Sequence, residues 1–323
     1  MEKEMLLSIE NLHVHFRTNR GIVKALRGVN LQLQEGETLG LVGETGCGKS
    51  VTMRSIMRLI QSPPGDIVGG KIWFNGRNLL DVSELEMRKI RGKKIAMIFQ
   101  DPATSLNPVF RVGYQIEEGI LLHQGVDKYS ANERALYLLD KVGMPAPKRT
   151  AMQYPHELSG GMQQRVMIAM ALACNPILLI ADEPTSSLDV TIQAQFLTLL
   201  KQLKREIISS IIYVSHDISV VADVCDQIGV MYLGTVVEKA EVEKILSKCL
   251  HPYTKGLFAA LPELQNSVKE LQALPGTVPS LIEPPAGCAF HPRCSERMEI
   301  CHEAIPGMLE VEERHYVACH LYS

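Results

Sequence analysis

No uninterrupted apolar run in the sequence reaches the roughly 18 residues that a membrane-spanning helix needs. The longest apolar tract, 166–181, is broken by Asn175-Pro176. Residues 1–10 are charged and carry no signal-like apolar core. The expectation is a protein made and kept in the cytoplasm, unless a membrane partner holds it at the bilayer face. A basic excess is missing too: 33 Lys and Arg against 36 Asp and Glu give a net charge of −3. No global positive field argues for nucleic acid. Neither an internal repeat nor a low-complexity segment is visible. The C-x2–4-C pairs common in structural zinc sites are also missing, although the chain has 8 cysteines.

What is present fits a soluble globular chain, with 46% hydrophobic and 21% charged residues. At 323 residues it exceeds the roughly 250–300 at which one hydrophobic core stops growing. One large domain with a smaller appendage is expected. Residues 7–16 alternate loosely between apolar and polar, and 29–33 alternate strictly. Both read as strands, with turn signals at 18–21 and 34–37. A short apolar strand follows over 38–42. From Lys49, the apolar residues Met53, Ile56, Met57 and Ile60 recur at helical spacing, and Pro63-Pro64-Gly65 ends that helix. Further strands are expected at 71–74, 94–99 and 228–232. The basic run 88–94 reads as a solvated face. Residues 101–158 look mainly helical, and 160–173 forms a buried helix. The continuous apolar runs 177–181 and 211–215 suit parallel strands covered on both faces.

Gly43-Glu44-Thr45-Gly46-Cys47-Gly48-Lys49-Ser50 fits G-x-x-x-x-G-K-[ST] in full, after an apolar strand and opening a helix that continues with Val51. The glycines let backbone amides surround phosphate oxygens, and the helix end adds partial positive charge. Lys49 is expected to bridge the β- and γ-phosphates of ATP, and Ser50 to coordinate Mg²⁺. Cys47 fills a variable slot and is assigned no chemistry.

The apolar strand 177–181 runs into Asp182 and Glu183. Asp182 is placed to hold Mg²⁺, and Glu183 to orient and deprotonate the attacking water. His216, after the strand 211–215, can bond the γ-phosphate. Gln100, after the strand 94–99, offers its amide oxygen to Mg²⁺ and the water. By itself a lone His such as His216 is usually structural, and Gln100 alone is a weaker signal still.

Leu158-Ser159-Gly160-Gly161-Met162-Gln163-Gln164-Arg165 resembles the signature motif of ATP-binding-cassette (ABC) ATPases, with Met162 at a position that is usually Gln. Ser159, Gly160 and Gly161 open a helix and make a second anion-binding end. The resemblance covers about 6–250 and places Gln100 in the Q-loop. Ser187-Leu188-Asp189 matches the D-loop, and His216 the switch histidine. Phe16 falls at the aromatic position that stacks on adenine, although an aromatic there is as often core. The implied fold is α/β: a P-loop NTPase cassette with a RecA-like core, an antiparallel β-subdomain and a helical subdomain near 101–160. In this family the signature of one subunit closes over ATP held by the other, so a second ATPase subunit is implied. The segment 101–108 begins the subdomain that, in transporters, receives a coupling helix from a permease.

Residues 251–323 differ in character, with prolines concentrated between Pro252 and Pro306. His251-Pro252-Tyr253-Thr254-Lys255-Gly256-Leu257, Ala260-Leu261-Pro262, 274–279 and 287–294 resemble the C-terminal extension of oligopeptide/dipeptide importer ATPases, a group that also holds nickel importers. That resemblance implies a paralogous partner ATPase, favoured over a homodimer. It also implies two permease subunits, an extracytoplasmic peptide-binding protein acting indirectly, and a peripheral position on the cytoplasmic face of the membrane. Cys288, Cys294, Cys301 and Cys319 follow C-x5-C-x6-C-x17-C. Four thiolates can hold zinc or a [4Fe–4S] cluster. The wide spacing and the resemblance favour iron–sulfur; unmetallated thiols are a second reading, and His291, His302 and His320 beside the cysteines keep zinc open.

Overall fold

The computed structural model describes residues 4–186, 189–206, 210–259 and 274–323. Ser187 and Leu188 of the D-loop motif, and Ala260, Leu261 and Pro262 of the tail motif, lie outside the described residues. The chain divides into two compact units, Met1–Asp81 with Ser215–Ser323, and Val82–Val214.

In the first unit, Met5–Thr18 and Gly21–Gln34 form a long antiparallel hairpin. The Thr18 hydroxyl closes its turn by donating to Gly21 O at 2.7 Å. Leu7, Ile9, Leu12 and Val14 on one strand, and Leu26, Val29, Leu31 and Leu33 on the other, are buried. Glu10, Asn11, Asn30 and Gln32 between them are exposed, as a half-covered sheet requires. Gly65–Phe74 pairs on the far side of Met5–Thr18, and Arg77–Asn78 pairs beyond it.

Thr38–Val42 and Gln227–Tyr232 are parallel neighbours, buried at every residue. This is the pattern of a sheet covered on both faces. Thr235–Glu241 turns back antiparallel against Gln227–Tyr232. On it lie His315–Val317 and then Leu309–Glu312, so the C-terminal segment extends the sheet. These last three strands are additions to the sequence reading. One buried carboxylate fixes the join: Glu238 accepts from Leu250 N at 2.7 Å, His251 N at 2.9 Å and His315 Nε2 at 2.8 Å.

The helix after the phosphate loop is shorter than its apolar spacing suggests. It spans Lys49–Ile56. Arg58 adopts φ +49°, a left-handed stop. Met57, Leu59 and Arg58 donate backbone N–H groups to the carbonyls of Met53, Arg54 and Ser55. Ile60 leaves the helix and packs with Phe16 where Gly65 leaves room. A Cβ on Gly65 would lie 2.7 Å from both side chains.

In the second unit, Ile95–Ile98, Leu178–Asp182 and Ser210–Val214 form a parallel sheet with Leu178–Asp182 in the middle. Its helices include Val112–Gln124, Lys128–Lys141, Gly160–Ala171 and Val190–Glu206. The basic run 88–94 is surface. The Arg91 guanidinium bonds Glu84 at 2.6 Å, and the Arg88 side chain is 75% exposed.

Candidate active site

Thr38–Val42 delivers its buried backbone straight into the phosphate loop. Two glycines there are sterically required. Gly43 has φ +150°, and a Cβ would meet Met231 O at 2.2 Å. Gly48, which precedes the helix, has φ +109°, and a Cβ would meet Leu26 at 2.7 Å. Only glycine accepts those conformations at that closeness. Lys49 is buried, and its ammonium donates to Gly43 O at 2.7 Å and Glu44 O at 3.3 Å. The cation is thus held within the loop, where phosphate oxygens compete well for it. Burial pushes the Cys47 thiol up, with Lys49 opposing, which keeps it protonated and inert.

The C-terminal segment grips this loop. Arg293 makes a two-pronged ion pair with Glu44, Nη1 to Oε2 at 2.8 Å and Nη2 to Oε1 at 3.1 Å. Its side chain is only 4% exposed. Nε donates to Pro275 O at 2.9 Å. The guanidinium lies 5.8 Å from the Tyr232 ring and 5.9 Å from the Phe290 ring. Glu44, first among these contacts, raises the Arg293 pKa further. The Glu44 N–H donates to the Tyr253 hydroxyl at 2.9 Å. Glu44 was expected only as a loop member, and Arg293 and Tyr253 only as parts of tail motifs. Glu44 and Arg293 stand 249 residues apart, so no local pattern announces the pair.

In the second unit, Leu178–Asp182 ends at the buried Asp182 and is followed by Glu183. Glu183 adopts φ +47°, rare for a non-glycine residue, and its N–H donates to Val214 O at 3.0 Å. Such conformations persist where the surroundings enforce them, and they gather at functional sites. Gln100 Nε2 donates to Glu183 Oε2 at 3.1 Å. The structure therefore brings together the two groups assigned to the attacking water.

Ser159 caps the helix Gly160–Ala171, its hydroxyl accepting from Met162 N at 3.4 Å. Ser159 and Gly160 are exposed, and a Cβ on Gly160 would meet nothing within 4 Å. This helix end presents its amide dipoles outward. Asp189 caps Val190–Glu206 by accepting from Ile192 N at 3.0 Å. In the first unit, His216 is exposed in the turn before Ile218–Val224, whose cap is Asp217. Phe16 is half-buried against Ile60 and Gly65.

The family described as ABC transporter matches residues 26–186. The family described as oligopeptide/dipeptide transporter, C-terminal region, matches 237–301. The oligopeptide transport ATP-binding protein OppD of Bacillus subtilis is 53% identical over 97% of this chain and 87% of its own length. The chain belongs to the ATP-binding subunits of the oligopeptide/dipeptide ABC transporter family. The dipeptide transport ATP-binding protein DppD of Bacillus subtilis is 48% identical over 98% of this chain and 95% of its own. Among solved structures, the dimeric ATP-binding cassette MJ0796 bound to ADP and phosphate aligns with a TM-score of 0.66. It is 30% identical, over 73% of this chain and 99% of that one. The fold is therefore the mixed α/β P-loop cassette, and the activity is that of an ABC-type ATPase. Among the described residues, no helix is long and apolar enough to cross a membrane.

The cysteines of this ABC ATPase are all free thiols. Cys288, Cys301 and Cys319 are buried and Cys294 is half-buried. Burial comes first in raising the Cys294 and Cys319 thiols, Cys319 to about 11, and the other tail thiols add to it. Among the described residues, however, no three Cys, His, Asp or Glu side chains are gathered into a group that could hold a metal ion. Backbone contacts set part of this arrangement: Cys288 N donates to Cys301 O at 2.9 Å, and Met298 N to Cys301 Sγ at 3.5 Å. His291 and His320 direct ring nitrogens at the carbonyls of Cys288 and Ala304, both at 2.9 Å.

Proposed function

We propose that this ATPase drives the import of di- and oligopeptides by closing and opening as half of an ATPase pair beneath two permease subunits. What carries the reading is the C-terminal region: a family description naming oligopeptide/dipeptide transport matches 237–301, in a chain whose cassette is intact. In this proposal residues 1–250 are the nucleotide-binding domain, with its helical subdomain near 101–160. Residues 251–323 are the importer-type extension. The protein sits at the cytoplasmic face, held by the permeases. Its partner is a paralogous ATPase, an external binding protein selects the cargo, and nucleic acid has no part.

The roles follow from chemistry. Residues 43–50 wrap the phosphates, with Lys49 neutralising charge that develops on them. Val51 continues the helix that carries Ser50. Phe16 stacks on the adenine. Ser50, Asp182 and Gln100 offer oxygens to Mg²⁺, which when bound polarises the phosphate. Glu183 takes the proton from water, and His216 steadies the γ-phosphate. Ser159, Gly160 and Gly161 present their helix end to the partner's nucleotide, and Asp189 lies beside that seam. The exposed cap of Gly160–Ala171 supports the last role.

Ser159→Arg tests the pairing. The variant keeps its own phosphate loop, so ATP binding stays within about twofold of wild type. Hydrolysis falls at least about tenfold, a loss of roughly 1.4 kcal/mol in the transition state, and it falls in the partner's site. Unchanged hydrolysis in the assembled pair contradicts the shared site.

We further propose that Cys288, Cys294, Cys301 and Cys319 hold a [4Fe–4S] cluster. The reading rests on four unbridged cysteines spaced C-x5-C-x6-C-x17-C within the extension. When bound, the cluster supplies a covalent cross-link between the 288–301 segment and Cys319. Anaerobically purified protein should be brown and contain iron and sulfide in equal amounts. A colourless protein carrying zinc contradicts this assignment.

A further inference from the structure

The first unit holds a cavity of about 410 Å³ between its long hairpin and the C-terminal residues 287–290 and 305–308. None of residues 43–50 lines it. Strand register assembles its charges. Arg27 pairs with His13, and Lys24 with His15, and all four face the cavity. No Asp or Glu is among the described residues that line it.

Arg27 is the anomaly. Its backbone N–H donates to Gly234 O at 2.8 Å, but its Nη1 is buried and has no hydrogen-bond partner among the described residues. Burial lowers its pKa, and no carboxylate opposes the shift. Arg27 as a whole is half-buried, but buried polar atoms such as this Nη1 nearly always find partners. The neighbouring amides are already committed. Asn30 Oδ1 accepts from Asn11 N at 2.9 Å, its Nδ2 donates to Gly28 O at 3.1 Å, and Asn11 Oδ1 meets His13 Nε2 at 3.0 Å. His251 also lines the cavity, but burial pushes it down to about 3, so it is neutral. Beyond the charged end the wall is apolar, with Val236, Phe290, Ile305 and Met308. A volume of this order suits a small molecule, and a few polar groups on an apolar wall are how such sites fix orientation.

We propose that this cavity binds a small amphiphilic anion, its carboxylate or phosphate head on Arg27 and Lys24 and a short apolar body against Phe290 and Met308. The occupant bridges the hairpin that carries Phe16 to the C-terminal extension.

The test uses the full-length protein, as purified, saturated with Mg²⁺ and a non-hydrolysable ATP analogue so that the phosphate loop is filled. Calorimetric titrations are made with 4-methylpentanoate, with butyl phosphate and with neutral 4-methylpentanamide. At least one anion should bind one-to-one in the millimolar range or tighter, and the amide should not. Whichever anion binds identifies the head group. Arg27→Met should weaken that binding at least tenfold. Without ligand it should melt at or above the wild-type temperature, because a half-buried guanidinium with an unpartnered buried Nη1 has been replaced by an apolar chain. Lys24 is exposed, so Lys24→Gln keeps the fold and should weaken binding at least threefold. Three results overturn the proposal: neither anion binds, the amide binds as well as the anions, or Lys24→Gln and every folded Arg27 variant bind with wild-type affinity.

Discussion

Glu183→Gln binds ATP as tightly as wild type and hydrolyses it about 10²–10⁴-fold more slowly, the span that a positioned general base contributes. The reason lies in the strand end. Glu183 is held at φ +47° by its N–H bond to Val214 O, so the backbone that aims the side chain survives the substitution. Gln100 Nε2 sits 3.1 Å from Glu183 Oε2 and can face an amide oxygen as well as a carboxylate oxygen. The exchange therefore removes a proton acceptor while keeping the size and shape of the side chain. A second consequence is mechanical. With hydrolysis stopped, the closed ATPase pair should accumulate and elute as a dimer when ATP is present. Steady-state hydrolysis with size-exclusion chromatography reads both effects. Wild-type turnover would remove Glu183 as the base.

Arg293→Gln acts from the other end of the chain. It leaves the Glu44 carboxylate without its two-pronged partner and the 4%-exposed Arg293 position without a charge. Removing one member of a buried pair costs about 3–5 kcal/mol. Glu44 is 26% exposed, so water recovers part of this, and about 2 kcal/mol is expected in denaturant unfolding. The effect should extend to nucleotide. Glu44 O accepts from Lys49, and Glu44 N is fixed by Tyr253, so loosening Glu44 loosens the loop that wraps phosphate. The KM for ATP should rise several-fold while kcat at saturation changes little. Arg293→Lys restores the charge but not the planar fork, and should recover the KM only in part. A variant with wild-type stability and KM would show that the extension does not support the loop.

How much of this was legible in the sequence depends on the range of the interaction. The phosphate loop is local: its glycines and Lys49 act within eight residues, and the pattern alone placed it. Parallel strands announce themselves as continuous apolar runs, and those at Leu178–Asp182 and Ser210–Val214 appeared within a residue of their expected limits. The helix Lys49–Ile56 was over-read because Ile60 kept the helical spacing while packing with Phe16 beside Gly65. Leu309–Glu312 was missed because all four of its residues are exposed and show no alternation of burial. His315–Val317 has only three residues. The grip of Arg293 on Glu44 depends on tertiary placement and leaves no periodic trace. Likewise, Arg27 reads as an ordinary strand arginine until the hairpin register sets it beside His13 in a cavity without acids.

The central claim is that this ATPase powers peptide import. Its most direct test is uptake of a labelled dipeptide and a labelled pentapeptide into vesicles containing the two permeases, the partner ATPase and this chain. The binding protein is supplied outside and ATP on the ATPase side. Uptake is expected only with ATP and this chain together, and Lys49→Ala should abolish it. ATP hydrolysis that carries a nickel chelate but neither peptide, or peptide uptake that persists with Lys49→Ala, would contradict the account.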